Sequence, residues 1–324
     1  MAIQYDGNQN PWLEPRHVNL LELAGDIEER GLSGILQKFP LSSAEWAECA
    51  QELAVQYKKN ASLTAHHDII AASVNRALAG HALYFPPCGT AGELHEVNKL
   101  MSLPSPDMAA VQRIIFALVM NPRIRACQLA ELFLKLAPFD EFAYLIDAAT
   151  LSFYRGNFPA AFMTIIPVVE GLLLRWQGYP VPIGEKPSFA TTLAFVRDLA
   201  ARQPAPLLPL FYDSWIVAAD TILRDHLSRH FENEPSRNHF NRHLAFPRLE
   251  DQHFETQQNV TRVFLLVDLL SEIFLCEKRI NDPRRERDAT AESPHCLAYV
   301  SALRSQACPD NPEKILLRTH PRCQ

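Results

Sequence analysis

The sequence predicts an all-α protein, and three observations carry that prediction. Apolar residues recur at helical spacing along nearly the whole chain, and no stretch of strict apolar–polar alternation bounded by turn residues occurs. Glycine is scarce (11) and proline plentiful (24) in the 324 residues, a pattern of many segments punctuated by proline rather than of glycine-rich phosphate loops. Hydrophobic residues make up 48% and charged residues 21%, which excludes a disordered, collagenous or fibrous chain and leaves room for one large core or two smaller ones.

After a polar leader, a helix over 18–39 ends at Phe39-Pro40. Ser42 or Ser43 caps the next, 44–59, whose Glu45 and Glu48 place carboxylates on the exposed amides of its first turn. A third segment, 64–84, runs from Thr64 to Pro86-Pro87. Helices over 90–102 and 107–120 follow, with breaks at Pro104, Pro106 and Pro122, so short helices meet through proline turns as in an orthogonal bundle. Next come 123–136, 140–155 and 158–176. The last two are joined by Tyr154-Arg155-Gly156-Asn157-Phe158-Pro159, where Gly156 or Asn157 suits a helix end and Pro159 a helix's first turn. The hairpin 143–174 looks like a tetratricopeptide unit, but no second copy lies ~34 residues away. Pro167 should kink its helix or break it. A proline-bearing loop, 178–188, leads to 189–202, 208–231 and 235–246, and the final strong helix is 255–279. Beyond it, Asn281-Asp282-Pro283-Arg284-Arg285-Glu286-Arg287 reads as a solvated linker to a loose tail in which only 295–306 is helical.

A net charge of −6 argues against a globally basic nucleic-acid coat and leaves a local basic site open. The seven cysteines (Cys49, Cys88, Cys127, Cys276, Cys296, Cys308, Cys323) are scattered, odd in number and never in a Cys-x-x-Cys pair, which argues against a disulfide framework or a cysteine zinc site. No secretion signal or membrane span is indicated, since the run 264–275 carries Asp268 and Glu272; the expected location is the cytoplasm. There is no Gly-x-Ser-x-Gly, P-loop or dinucleotide fingerprint, and no cofactor is expected.

The chemistry-bearing stretch is Arg224-Asp225-His226-Leu227-Ser228-Arg229-His230, continuing into Arg237-Asn238-His239-Phe240-Asn241-Arg242-His243. Five of the twelve histidines and five arginines fall between 224 and 253. Imidazole titrates near neutral pH while arginine keeps its charge, so together they suit proton transfer and anion stabilisation, with RNA phosphates a natural target. A solvated polar helix face is the competing reading. The pairs His226/His230 and His239/His243 have helical metal-ligand spacing, but neither carries the glutamate of a His-Glu-x-x-His pair and no cysteine is near, so metal binding is not favoured.

The string Phe240-Asn241-Arg242-His243, followed by Phe254-Glu255-Thr256-Gln257-Gln258-Asn259-Val260-Thr261-Arg262 and the helix through Leu265-Leu266-Val267-Asp268-Leu269-Leu270, resembles the C-terminal half of the HEPN superfamily. These are small helical domains of RNA-cleaving toxins and abortive-infection proteins. Upstream, Asn157-Phe158-Pro159-Ala160-Ala161 and Ile166-Pro167-Val168-Val169-Glu170-Gly171-Leu172 are similar to that family's first hairpin, so the resemblance covers about 140–280. It implies an N-terminal helical region over 1–137, a HEPN-like up-and-down bundle over 138–280 and a flexible tail over 281–324. It also implies a homodimer whose shared cleft cleaves RNA without a metal, by attack of the 2′-hydroxyl on the adjacent phosphate. A cognate antitoxin or defence partner would follow from such a role.

By that resemblance Arg242 matches the family's arginine and His243 its polar neighbour. Where the related subfamily continues, three residues on, with His-Gly, this chain has Pro247-Arg248, and proline cannot exchange a proton. A shifted frame would use Arg237, Asn238 and His243 instead, projecting from a different angle on a regular helix. The catalytic candidates are therefore Arg242, His243 and Arg237, and the substrate-binding candidates Asn238, Asn241, Arg248, Asn259 and Glu170. Glu170 could equally be a partly buried carboxylate paired with an arginine, and Asp268 could pair with Arg262. Trp46, Trp176 and Trp215 read as core rather than as base-stacking platforms. A non-catalytic module is the alternative, in which the apolar face of 260–275 dimerises and the basic stretch only binds.

Overall fold

The computed structural model describes residues 69–179, 186–199, 209–228, 256–278, 293–312 and 315, and among these every regular element is a helix. Met1–Ile70 and Ala71–Gln324 form separate compact units. The sequence-predicted helices over 18–39, 44–59 and 235–246 lie outside the described residues, as does Trp46.

The first described helix, α1, is Ile69–Ala79. It stops at Gly80, short of the expected residue 84, because the chain turns through Ala82 at φ 56° and the side-chain Oδ1 of buried Asn75 accepts a 2.6 Å bond from the Phe85 amide. α2 (Ala91–Met101) opens on a reciprocal cap: Thr90 accepts from the Glu93 amide, and Glu93 accepts from the Thr90 amide. Asp107 caps α3 (Met108–Val119), and Asn121 with Pro122 starts α4 (Pro122–Cys127), which widens into a π-helical turn over Gln128–Phe133. A 3₁₀ turn, Phe139–Phe142, feeds α5 (Ala143–Tyr154).

The hairpin to α6 (Phe158–Trp176) follows the sequence reading. Gly156 takes φ +80°, and the Asn157 side chain accepts from the Ala160 amide at 3.2 Å. Pro167 is carried inside α6, which continues to Trp176. Gly171 lets α6 close onto Phe142: a Cβ there would lie 2.6 Å from the ring. Ser188 caps α7 (Phe189–Asp198), and α8 (Pro209–Thr221) runs on through a second π-helical turn, Ile222–Leu227. α9 is Gln257–Lys278 and α10 is Pro294–Ala307.

The core is organised around α9. Every residue from Asn259 to Leu275 except Arg262 is buried, with α3, α6 and α8 packed around it. A helix apolar on all sides belongs in an interior. The apolar face of 260–275, which the interaction-module reading assigned to a dimer interface, is thus used up inside the bundle. α6 is the one described helix long and apolar enough to cross a membrane; it buries Ile165, Val168, Val169 and Leu172 against the hairpin partner α5 and α9.

At 137/138, where the resemblance implies a boundary, the helices share this core. Arg125 of α4 and Asp268 of α9 form an ion pair with side chains 2% and 3% exposed, and Arg125 also lies 5.6 Å from the Phe264 ring centroid. Asp268 therefore meets Arg125, not Arg262. The C-terminal segment likewise contributes to the unit. Tyr299 of α10 is 1% exposed, packs its ring centroid 5.3 Å from that of Tyr154 with the planes tilted by 37°, and donates a 2.6 Å hydrogen bond to Asp147 of α5. A buried phenol with a carboxylate acceptor explains why this stretch docks although its sequence looks like an interrupted tail.

Candidate functional site

The arginine- and histidine-rich stretch leaves the described structure at the end of α8 and returns at the start of α9. Arg237, Asn238, Asn241, Arg242, His243 and Arg248, together with Pro247, lie outside the described residues. Asn259 and Glu170 are described. Glu170, partly exposed on α6, accepts a 2.8 Å bond from Lys186. α6 and α9 run in the same direction, since Phe153 beside the start of α6 meets Phe264, while Trp176 at its end meets Phe274. Counted from that shared end at 1.5 Å per residue, Glu170 and Asn259 sit about 13 Å apart along the bundle, so the structure does not bring them together.

Asn259 instead belongs to the junction where the basic stretch begins and ends. The π-helical turn buries Ile222, Leu223 and Leu227 and turns His226, half-buried, toward the end of α1, where it is hydrogen-bonded to the Ala79 backbone. On the facing element, the Asn259 amide donates to Thr256 Oγ1 at 3.1 Å, fixing the first turn of α9. One helical turn on, Arg262 Nη1 donates to Asn259 Oδ1 at 2.9 Å. Arg262 Nε and Ser228 Oγ are buried and have no hydrogen-bond partner among the described residues.

The electrostatics of this junction follow from that packing. Burial pushes the His226 ring below the usual histidine range, and the Arg262 charge lowers it further; Asp225 and the Ala79 bond oppose them, and His81 adds to the lowering. Burial also lowers Arg262. The result is an imidazole whose charged form is disfavoured, bonded to a backbone group and within electrostatic reach of a partly desolvated guanidinium. Such a pair can take up a proton and can hold an oxyanion. His226 was visible in the sequence as one histidine among several. Arg262 entered the sequence reading only as a partner for Asp268, although its three-residue offset from Asn259 places both on one face of the first turns of α9.

The Arg125–Asp268 cluster is chemically different. Burial opposes the Arg125 charge, and Asp268 outweighs that cost, so the guanidinium holds its proton more tightly than in water. Burial raises Tyr154, whose hydroxyl donates to the Met120 carbonyl at 2.9 Å. Tyr299 is raised by burial and by its bond to Asp147. These groups tie α3, α4, α5, α9 and α10 together within the core. The tryptophans are also structural: Trp215 is 5% exposed, and the Trp176 indole donates to Glu277 at 2.6 Å between Phe195 and Phe274.

Among the described residues no group of three or more His, Cys, Asp or Glu side chains is placed to hold a metal ion. His230, His239 and His243, which the metal reading requires, lie outside the described residues. No family model, curated protein or solved structure matches the chain.

Proposed function

We propose that this chain is a HEPN-like protein of a defence or toxin-type system that acts on RNA in the cytoplasm, through the arginine- and histidine-rich segment between α8 and α9. The observation that carries the proposal is the concentration of five arginines and five histidines in 224–253. Arg242 binds the scissile phosphate. His243, or Arg237 with His243 in the shifted frame, moves the proton as the 2′-hydroxyl attacks phosphorus, the 5′-oxygen leaves and a cyclic phosphate end remains. No metal or cofactor takes part. Asn238, Asn241, Arg248 and Asn259 contribute polar contacts along the strand, and a homodimer, with an antitoxin or other defence partner, would regulate the site.

The decisive assay incubates the purified protein with RNA in the presence of a chelator and looks for cyclic phosphate ends. Positioned acid–base catalysis contributes on the order of 10²–10⁴-fold, so Arg242→Ala and His243→Ala should each lose at least that order of rate. Absent cleavage, or cleavage unchanged in both variants, refutes the enzymatic version.

Pro247 favours a second reading, a non-catalytic derivative that keeps the phosphate-binding arginines and has lost a proton carrier. It predicts salt-sensitive RNA binding without turnover. A protein-interaction module without RNA is left if neither activity is found.

A further inference from the structure

We propose that the surface of α4 and α5 beneath α10 is a helix-binding groove and that α10 is its exchangeable occupant: the groove takes its own chain's α10 or, by reciprocal exchange, the α10 of a second copy. The exchange rests on the homodimer of the proposed function and on none of its RNA chemistry.

The seat is shallow and centred on one side chain. α10 packs on α4 and α5 and buries Cys296, Tyr299 and Ala302, a stripe at three-residue spacing, while Leu297 and Leu303 stay exposed. Tyr299 is the anchor. Its hydroxyl donates to Asp147 Oδ1 at 2.6 Å, and its ring centroid lies 5.3 Å from that of Tyr154. Asp147 and Tyr154 are two turns apart on α5, so one face of that helix takes the phenol at its hydroxyl end and its ring end. Further along, Gln306 covers the Gly156 turn: a Cβ on Gly156 would fall 2.7 Å from Gln306 Nε2. The groove therefore runs along α5 from Asp147 to the turn at Gly156.

Helix and groove are each finished without the other. Ser293 Oγ accepts from the Cys296 amide at 3.2 Å, Pro294 stands in the first turn of α10, and Asn311 Nδ2 donates to the Ser305 carbonyl at 3.0 Å, so α10 carries its own caps. α4 is held by the Arg125–Asp268 pair, and α5 by its hairpin with α6 and by Phe153, whose ring centroid is 6.3 Å from that of Phe264. A capped helix on a body with its own core can leave as a unit at less cost than global unfolding. Residues 279–292 join α9 to α10, and a stretch of that length spans at most about 50 Å, enough to seat the helix on a neighbouring chain. Because groove and helix belong to one sequence, the contacts made between two copies are those made within one, and the exchange closes as a two-fold dimer.

The test adds a fluorescein-labelled peptide of residues 292–312 to the full chain and reads its anisotropy. In the wild-type protein the resident α10 competes, so the apparent Kd rises by the inverse of the fraction of open grooves. Tyr299→Ala in the chain weakens the resident, so the native peptide should bind that variant about tenfold or more tightly than it binds the wild-type chain, and adding Asp147→Ala should reverse the gain. A peptide that binds folded Tyr299→Ala no better than the wild-type chain overturns the groove, as does a Tyr299→Ala chain that loses its helical circular dichroism throughout. For the second copy, plain and isotope-labelled chains are mixed at high concentration and weighed by native mass spectrometry. Mixed dimers should form in the wild-type protein and disappear in Tyr299→Ala. Mixed dimers that persist in Tyr299→Ala leave the homodimer standing through another surface and overturn the exchange; wild-type chains that form none overturn the exchange and the homodimer together.

Discussion

Removing the Asp268 carboxylate tests the central packing of this protein most sharply. Arg125 and Asp268 are 2% and 3% exposed, so Asp268→Ala strands a guanidinium in the core. Its Nη2 loses the partner it has, and its Nε and Nη1 already lack one among the described residues. The Phe264 face, 5.6 Å away, offers a cation at most about 2 kcal/mol, part of which is already in use. Breaking one side of a buried pair costs about 3–5 kcal/mol. For a unit of this size 1 kcal/mol moves the midpoint by roughly 2–4 °C, so Tm should fall by about 6–20 °C. Thermal unfolding followed by far-UV circular dichroism reads the shift. The double replacement Arg125→Met with Asp268→Leu supplies the control, because exchanging a whole buried pair for apolar side chains is near neutral or stabilising. A loss below about 1 kcal/mol in Asp268→Ala, or a double variant as unstable as the single one, would refute the reasoning.

The remaining predictions concern the C-terminal helix and the α8–α9 junction. Tyr299→Phe removes the bond to Asp147 while keeping the ring against Tyr154, and should cost about 1–2 kcal/mol in denaturant unfolding. An unchanged midpoint would show that α10 is not docked as described. His226 titrates below the usual histidine value in the folded chain, first through burial and then through the Arg262 charge. The unfolded chain therefore binds the extra proton first, and the His226 contribution to stability, present above about pH 6.5, is lost as pH falls from there through the lower folded-state pKa. His226→Gln should flatten that limb of the stability–pH profile; an identical profile in both proteins would contradict the packing of His226.

Most helices were legible because their boundaries are local. Proline turns, the Thr90–Glu93 cap and the Gly156-Asn157 turn each act within a few residues, and α2, α3, α6, α9 and α10 fall within two residues of their sequence-predicted limits. What local chemistry does not encode is partnership. Asp268 sits among leucines, and nothing near it in sequence indicates that its counter-ion is Arg125, 143 positions earlier. The same holds for Tyr299 and Asp147, which make a flexible-looking tail part of the core. An apolar run reads alike whether a neighbouring helix or a second chain covers it; in α9 every residue from Asn259 to Leu275 except Arg262 is buried within this chain. In the α8–α9 region, the local sequence says nothing of the burial of Arg262, which comes from the helices packed around it.

The proposed function stands or falls on RNA recognition by the segment between α8 and α9, with or without turnover. The direct measurement is the affinity of the full chain for a short single-stranded RNA across a series of salt concentrations, compared with Arg242→Ala. Binding through phosphates predicts that log K falls linearly with log salt, by about 0.7 for each phosphate neutralised, and that the variant binds more weakly with a slope shallower by about that amount. Affinity that does not respond to salt, or a variant that matches the wild-type protein in both affinity and slope, would contradict it.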